Sequence, residues 1–134
     1  RPSRVYRHNH FKNHNDQEKD IVSDLVGKTC EACRIGAPQA SKQEVDSFMK
    51  KLSNWHLINS DGINQIMRTF DFPNFVDALS FTNSIGEISE AEGHHPAILT
   101  EWGKVTITWW SHKIEGLHVN DFIMAAKSDQ VFGE

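Results

Sequence analysis

Two cysteines, no long apolar run and almost no excess charge leave this chain with few of the usual signposts. Both cysteines fall in Cys30-Glu31-Ala32-Cys33. That is not the cysteine framework of a small secreted domain, and it points to a reducing, cytoplasmic compartment. No apolar stretch approaches the roughly 20 residues that cross a bilayer, so no membrane partner is expected. A net charge of −4 supplies no general basic footprint, so direct nucleic-acid binding is not expected either. No solenoid-type repeat is present. What remains is 134 residues, 38% apolar and 24% charged, enough for one domain with a real core and a polar tail.

Residues 1–20 hold three arginines, three histidines and two lysines among few apolar groups. They bury too little surface to offset ordering, and a mobile polar extension is expected; the Arg-rich start also fits the remnant of an organelle leader. Residues 21–40 form a short segment with Ile21, Val22, Leu25 and Val26 ahead of Gly27, the cysteine pair, and Gly36-Ala37-Pro38. A redox reading of Cys-x-x-Cys needs a βαβ unit that is not found, and a zinc reading has only His8, His10 and His14 upstream to complete it. A loop carrying two reduced thiols is the plainer expectation.

The folded domain is expected over residues 41–134. Ser41-Lys42-Gln43-Glu44 has the pattern of a capping box, and Val45, Phe48, Met49 and Leu52 follow as one apolar helical stripe. Residues 54–59 and 63–70 read as a hairpin around Ser60-Asp61-Gly62, since Asp-Gly tolerates the positive φ of tight turns. Pro73 is expected in the first turn of a second helix, with Phe75, Val76, Leu79, Ile85 and Ile88 on its apolar side and Gly93 as its stop. Residues 97–101 and 104–112 read as a second hairpin around Trp102-Gly103, with Val105, Ile107 and Trp109 on one face and Trp110 and His112 on the other. A last helix, capped by His118 or Asn120, carries Phe122, Ile123 and Ala126. The order α-β-β-α-β-β-α predicts an α+β two-layer sandwich, a four-stranded antiparallel sheet with helices on one face.

The densest chemistry lies in Glu90-Ala91-Glu92-Gly93-His94-His95-Pro96, followed by Trp109-Trp110-Ser111-His112. Imidazole, with an ordinary pKa of about 6.5, exchanges protons near neutral pH. Three imidazoles within nineteen residues, beside tryptophans and an acid one helical turn upstream, suit acid–base work on a flat polar ring. Pro96 restricts His95 to extended geometry, so one of the adjacent pair faces the ligand while the other anchors the loop. Zinc is poorly served, because an adjacent His-His pair lacks the spacing that puts two ligands on one helix face.

Glu90-x-x-x-His94-His95-Pro96, then Trp102 after five residues, His112 after nine more and Asp121 after a further eight, resembles the pterin-4a-carbinolamine dehydratases. The resemblance extends upstream through Phe75–Phe81, Phe70-Asp71-Phe72 and the Trp55 strand, about two thirds of the chain. The Cys30–Arg34 stretch with Gly36-Ala37-Pro38 is similar to the N-terminal segment of bacterial-type members. The resemblance implies dehydration of 4a-hydroxytetrahydrobiopterin to quinonoid dihydrobiopterin during tetrahydropterin recycling, with no metal or other cofactor. It implies His94, His95 and His112 as catalytic, His94 and His112 being the acid–base pair, and Glu90, Trp55, Asp121 and Pro96 as pterin-binding. Trp110 is heavier than the family pattern has at that point of the strand and, facing as His112 does, is expected to narrow or shift the same pocket. It also implies a homodimer or homotetramer, and some members bind a transcription factor, so an interaction protein is the alternative. An exposed Phe122/Ile123/Ala126 stripe on the last helix is the expected association face.

Overall fold

From residue 41 onward, three α-helices and four strands follow one another in the expected order. The computed structural model describes residues 25–26 and 38–134. Helix α1 spans Lys42–Lys51, strands β1 and β2 span His56–Ser60 and Ile63–Asp71, and helix α2 spans Phe75–Glu92. Strands β3 and β4 span Ala97–Glu101 and Lys104–Trp109, and helix α3 spans Val119–Phe132. The sheet is antiparallel throughout, in the order β1-β2-β4-β3. The extension over residues 1–20, and Cys30 and Cys33, lie outside the described residues, as do Ile21 and Val22.

Local chemistry starts each element. The Ser41 hydroxyl accepts from the Glu44 N–H while the Glu44 carboxylate accepts from the Ser41 N–H, a complete capping box for α1. Asp61 and Gly62 both take positive φ, 54° and 83°, which the tight β1–β2 turn requires. The sequence places Pro73 inside α2, but it lies ahead of the helix. Asn74 is the N-cap, its side-chain oxygen accepting from the Asp77 N–H at 2.8 Å, which moves the first helical residue to Phe75.

The strand alternation holds. Val105, Ile107 and Trp109 of β4 pair in register with Phe70, Arg68 and Ile66 of β2, and all six are buried on the face that meets the helices. Ala78, Phe81 and Ile85 of α2 close over them. Phe81 lies 4.7 Å from Phe70 and 5.2 Å from Phe72 between ring centroids, the centre of an aromatic cluster that includes Phe132.

Two expected apolar faces are differently placed. Phe122, Ile123 and Ala126 are not exposed but buried in the core, because α3 is covered on several sides at once. Phe48 of α1 stacks on Phe122 at 4.9 Å, and Leu25, from ahead of the domain, is buried in the same cluster. Conversely, Phe75, Val76 and Leu79 point away from the core and are exposed, as are Leu57, Leu99 and Trp102. The first two turns of α2 carry apolar residues on nearly every side, and only packing through Ala78 and Phe81 selects the buried one. Residues before Ser41 also touch the domain: the Ala40 N–H donates to the Leu117 carbonyl, and the Gln39 amide donates to that of Ile114. Among the described residues no helix is long and apolar enough to cross a membrane.

Candidate active site

Helix α2 ends where the site begins. Gly93 adopts left-handed φ of 67°, and its N–H donates back to the Glu90 carbonyl. This cap reverses the chain so that the His94 N–H donates to the Ser89 carbonyl at 3.1 Å, and Pro96 then leads into β3. Adjacent residues on the outgoing chain face opposite ways. His94 is turned inward, 4% exposed, while His95 stays in solvent.

His112 reaches the same place by a different element than expected. Strand β4 stops at Trp109 rather than running on to His112. Ser111 then bridges Gly116 across a tight loop, with His112–Ile114 as one turn of 3-10 helix and Glu115 in the left-handed region at φ 52°. The loop bends the chain out of the sheet plane and offers His112 to the end of α2. Gly93, His94, His95, His112 and Lys113 together line an open cleft of about 210 Å³.

Each imidazole has its own support. The His94 Nε2 lies 2.6 Å from Asp121 Oδ1, deep in the protein, and its ring stacks on Trp109 at 5.5 Å between centroids. A carboxylate only accepts hydrogen bonds, so Nε2 is the nitrogen that carries the hydrogen here. Asp121 is completely buried and its second oxygen accepts from the Ser111 hydroxyl at 2.8 Å and the His118 N–H at 2.9 Å. His118 also caps α3, its Nδ1 accepting from the Asn120 N–H at 3.0 Å. The His95 Nε2 is hydrogen-bonded to Glu90 Oε2 at the exposed rim. The His112 ring stacks on Trp110, 4.3 Å between centroids and 20° from parallel.

Of the residues singled out by sequence, the three histidines share the cleft, and Glu90, Asp121 and Trp110 each support one of them. Pro96 is half-buried directly behind His95. Trp55 does not line the cleft. Its indole is 3% exposed, packs edge-on against Phe70 at 6.0 Å and donates to Asp129 Oδ1 at 2.9 Å. There it joins Arg68, which donates to Asp129 Oδ1 at 2.6 Å and to both Glu134 oxygens at 2.9 and 2.8 Å. Burial pushes the Asp129 carboxyl up to about 6, against the opposing pull of the Arg68 guanidinium and the Trp55 N–H.

Lys113, Gly93 and Ser111 were not picked out as site residues by sequence. Lys113 and Ser111 flank His112 directly, which is the one signal that was there to find. Among the described residues no three His, Cys, Asp or Glu side chains gather as a metal-holding group.

The arrangement defines an α+β protein with a cleft lined by three histidines. The profile of the family described as pterin 4 alpha carbinolamine dehydratase matches residues 38–131, and the chain belongs to that family. A protein of Syntrophotalea carbinolica named "Putative pterin-4-alpha-carbinolamine dehydratase" is 53% identical over 105 residues, covering 78% of this chain and 94% of that one. One of the same name from Nitrosococcus oceani is 53% identical over 110 residues, 82% of this chain and 97% of that one. A crystal structure described as a transcriptional coactivator/pterin dehydratase from Brucella melitensis superposes with a TM-score of 0.65 at 26% identity, covering 72% of this chain and all of that one.

Proposed function

We propose that this chain dehydrates a 4a-hydroxytetrahydropterin to the quinonoid dihydropterin. The observation that carries the reading is the convergence of His94, His95 and His112 on one cleft, two of them backed by carboxylates. In the reaction the C4a–O bond breaks and the hydroxyl leaves as water with a proton from an imidazolium. The N5 proton passes to a neutral imidazole as the C4a=N5 double bond forms. One acid and one base are therefore needed, and their protonation states are exchanged at each turnover and reset through solvent.

His94 and His112 serve as that pair, with Asp121 holding the first and Trp110 stacked on the second. His95, tied to Glu90 at the rim, orients the pterin ring and its hydroxyl. Trp110, stacked on His112, fixes the plane of that imidazole at the cleft, which suits work on a flat heterocycle. The chemistry needs no metal or further cofactor. On this reading the protein works beside a pterin-dependent aromatic hydroxylation, and its cysteine usage favours a reducing, cytoplasmic compartment. Self-association as a dimer or tetramer belongs to the same reading; the exposed Phe75, Val76 and Leu79 supply apolar surface that α3 does not.

The test is stopped-flow ultraviolet decay of freshly made 4a-hydroxytetrahydropterin with wild type, His95→Ala and His112→Ala. These two are chosen because their side chains are exposed, so their loss spares the core. Acid–base catalysis is worth about 10²–10⁴-fold, and a loss of about 10²-fold in His112→Ala is expected. Wild-type decay no faster than buffer would refute the enzyme and favour an interaction protein, the other half of the Brucella melitensis description.

A further inference from the structure

We infer, on the dehydratase reading above, that Ser111 is a positioning residue that sets the proton arrangement of His94 through Asp121. Ser111 is completely buried and precedes His112 directly. Its backbone bridges Gly116, closing the loop that presents His112, while its hydroxyl donates to Asp121 Oδ2 at 2.8 Å. One residue thus holds the carriers of both proposed proton-transfer groups.

Asp121 stands in the first turn of α3, and the capping box supplies its only tether from that helix, the His118 N–H on Oδ2. With that tether alone the carboxylate plane rotates about its last side-chain bond, which is a broad torsion. The Ser111 hydroxyl approaches the same oxygen from the β4 side. Two donors on Oδ2, from two different elements, fix the plane and leave Oδ1 aimed at His94 Nε2, 2.6 Å away. A fixed acceptor at Nε2 selects the tautomer with hydrogen on that nitrogen and makes Nδ1 the basic one. Without the hydroxyl, Asp121 turns, the tautomers of His94 mix, and only part of the population is competent.

The experiment compares wild type, Ser111→Ala and Ser111→Thr as full chains by two readouts. Long-range proton–nitrogen spectra report the His94 tautomer with no pterin present, and stopped-flow decay gives kcat and KM. The Nε2–H tautomer is expected to dominate in wild type and Ser111→Thr and to be mixed in Ser111→Ala. The kcat of Ser111→Ala is expected to fall roughly tenfold, as for other residues that orient a reacting group from behind, with KM within about twofold and threonine restoring the rate. A His94 spectrum identical to wild type in Ser111→Ala overturns the inference whatever the rate, as does a rate loss that threonine does not rescue. If Ser111→Ala fails to fold, Ser111→Cys, nearly isosteric and a weak donor, must show the mixed tautomer, and a wild-type spectrum there overturns the inference equally. An inactive wild type refutes the dehydratase reading separately, since the tautomer shift is read without turnover.

Discussion

Replacing Asp121 by asparagine tests whether the buried carboxylate organises both fold and site. Three donors converge on it: the His94 Nε2–H, the Ser111 hydroxyl and the His118 N–H. Asparagine has nearly the same shape but only one acceptor oxygen, and its NH₂ must then face one of those donors. A hydrogen bond to a charged group contributes about 1.5–3 kcal/mol, and a buried donor left unmatched costs about 1–3 kcal/mol. Part of this is recovered because the remaining oxygen has two lone pairs, so a net loss of about 2–3 kcal/mol is expected. For a domain of this size each kcal/mol is worth roughly 4–8 °C, so Tm should fall by roughly 10–20 °C. Guanidinium unfolding and calorimetry at neutral pH measure both quantities. Glu90→Gln is the control, because the Glu90–His95 pair is exposed at the rim and such pairs contribute about 0–1 kcal/mol. Asp121→Asn within about 0.5 kcal/mol of wild type, the range of an ordinary surface change, would refute the idea that this carboxylate is a junction of core and cleft.

Asp129 makes a pH prediction with a definite sign. Its carboxyl is raised from 3.8 to about 6 in the folded chain, so the folded state keeps a proton that the unfolded chain has released. The stability this group contributes is full below its unfolded pKa and is lost as pH rises through about 6, in all about 3 kcal/mol. The stability of wild type minus that of Asp129→Asn should therefore shrink between pH 4 and pH 7 in denaturant titrations; a gap that widens with pH refutes it. Phe81→Ala, at the centre of the ring cluster and fully buried, should cost about 3–5 kcal/mol by the same method. A cost under 1 kcal/mol would mean the cluster is not the core. His118→Ala removes the imidazole cap of α3 and should lower stability by about 1 kcal/mol, with His118→Ser largely restoring it in thermal unfolding.

Elements whose cause is local were legible in the chain. Ser41 and Glu44 act within one helical turn, Asp61-Gly62 within one hairpin, and Gly93 within one cap, so each leaves its signature in a few consecutive residues. The alternation Val105, Ile107, Trp109 likewise reports a single strand with one wet and one dry face. Helix α3 was harder, because a helix enclosed by α1, α2 and the sheet has few exposed sides and so little polar periodicity to read. The end of β4 was missed for a related reason: Trp109-Trp110-Ser111-His112 alternates as well as any strand, and nothing local announces the Ser111–Gly116 bridge that ends it.

By itself the sequence determined the order of elements, the antiparallel sandwich and the three histidines that line the cleft, because helix periodicity, strand alternation and motif spacing are properties of neighbouring residues. The tertiary structure decided which partner each histidine has. Asp121 reaches His94 across 27 positions, and Trp55 reaches Asp129 across 74, away from the cleft. Pairings of that range depend on how two elements pack, and the exposure of Phe75, Val76 and Leu79 depends on it too. A residue's chemistry is written at its own position, but its neighbours in space are settled only when the core closes.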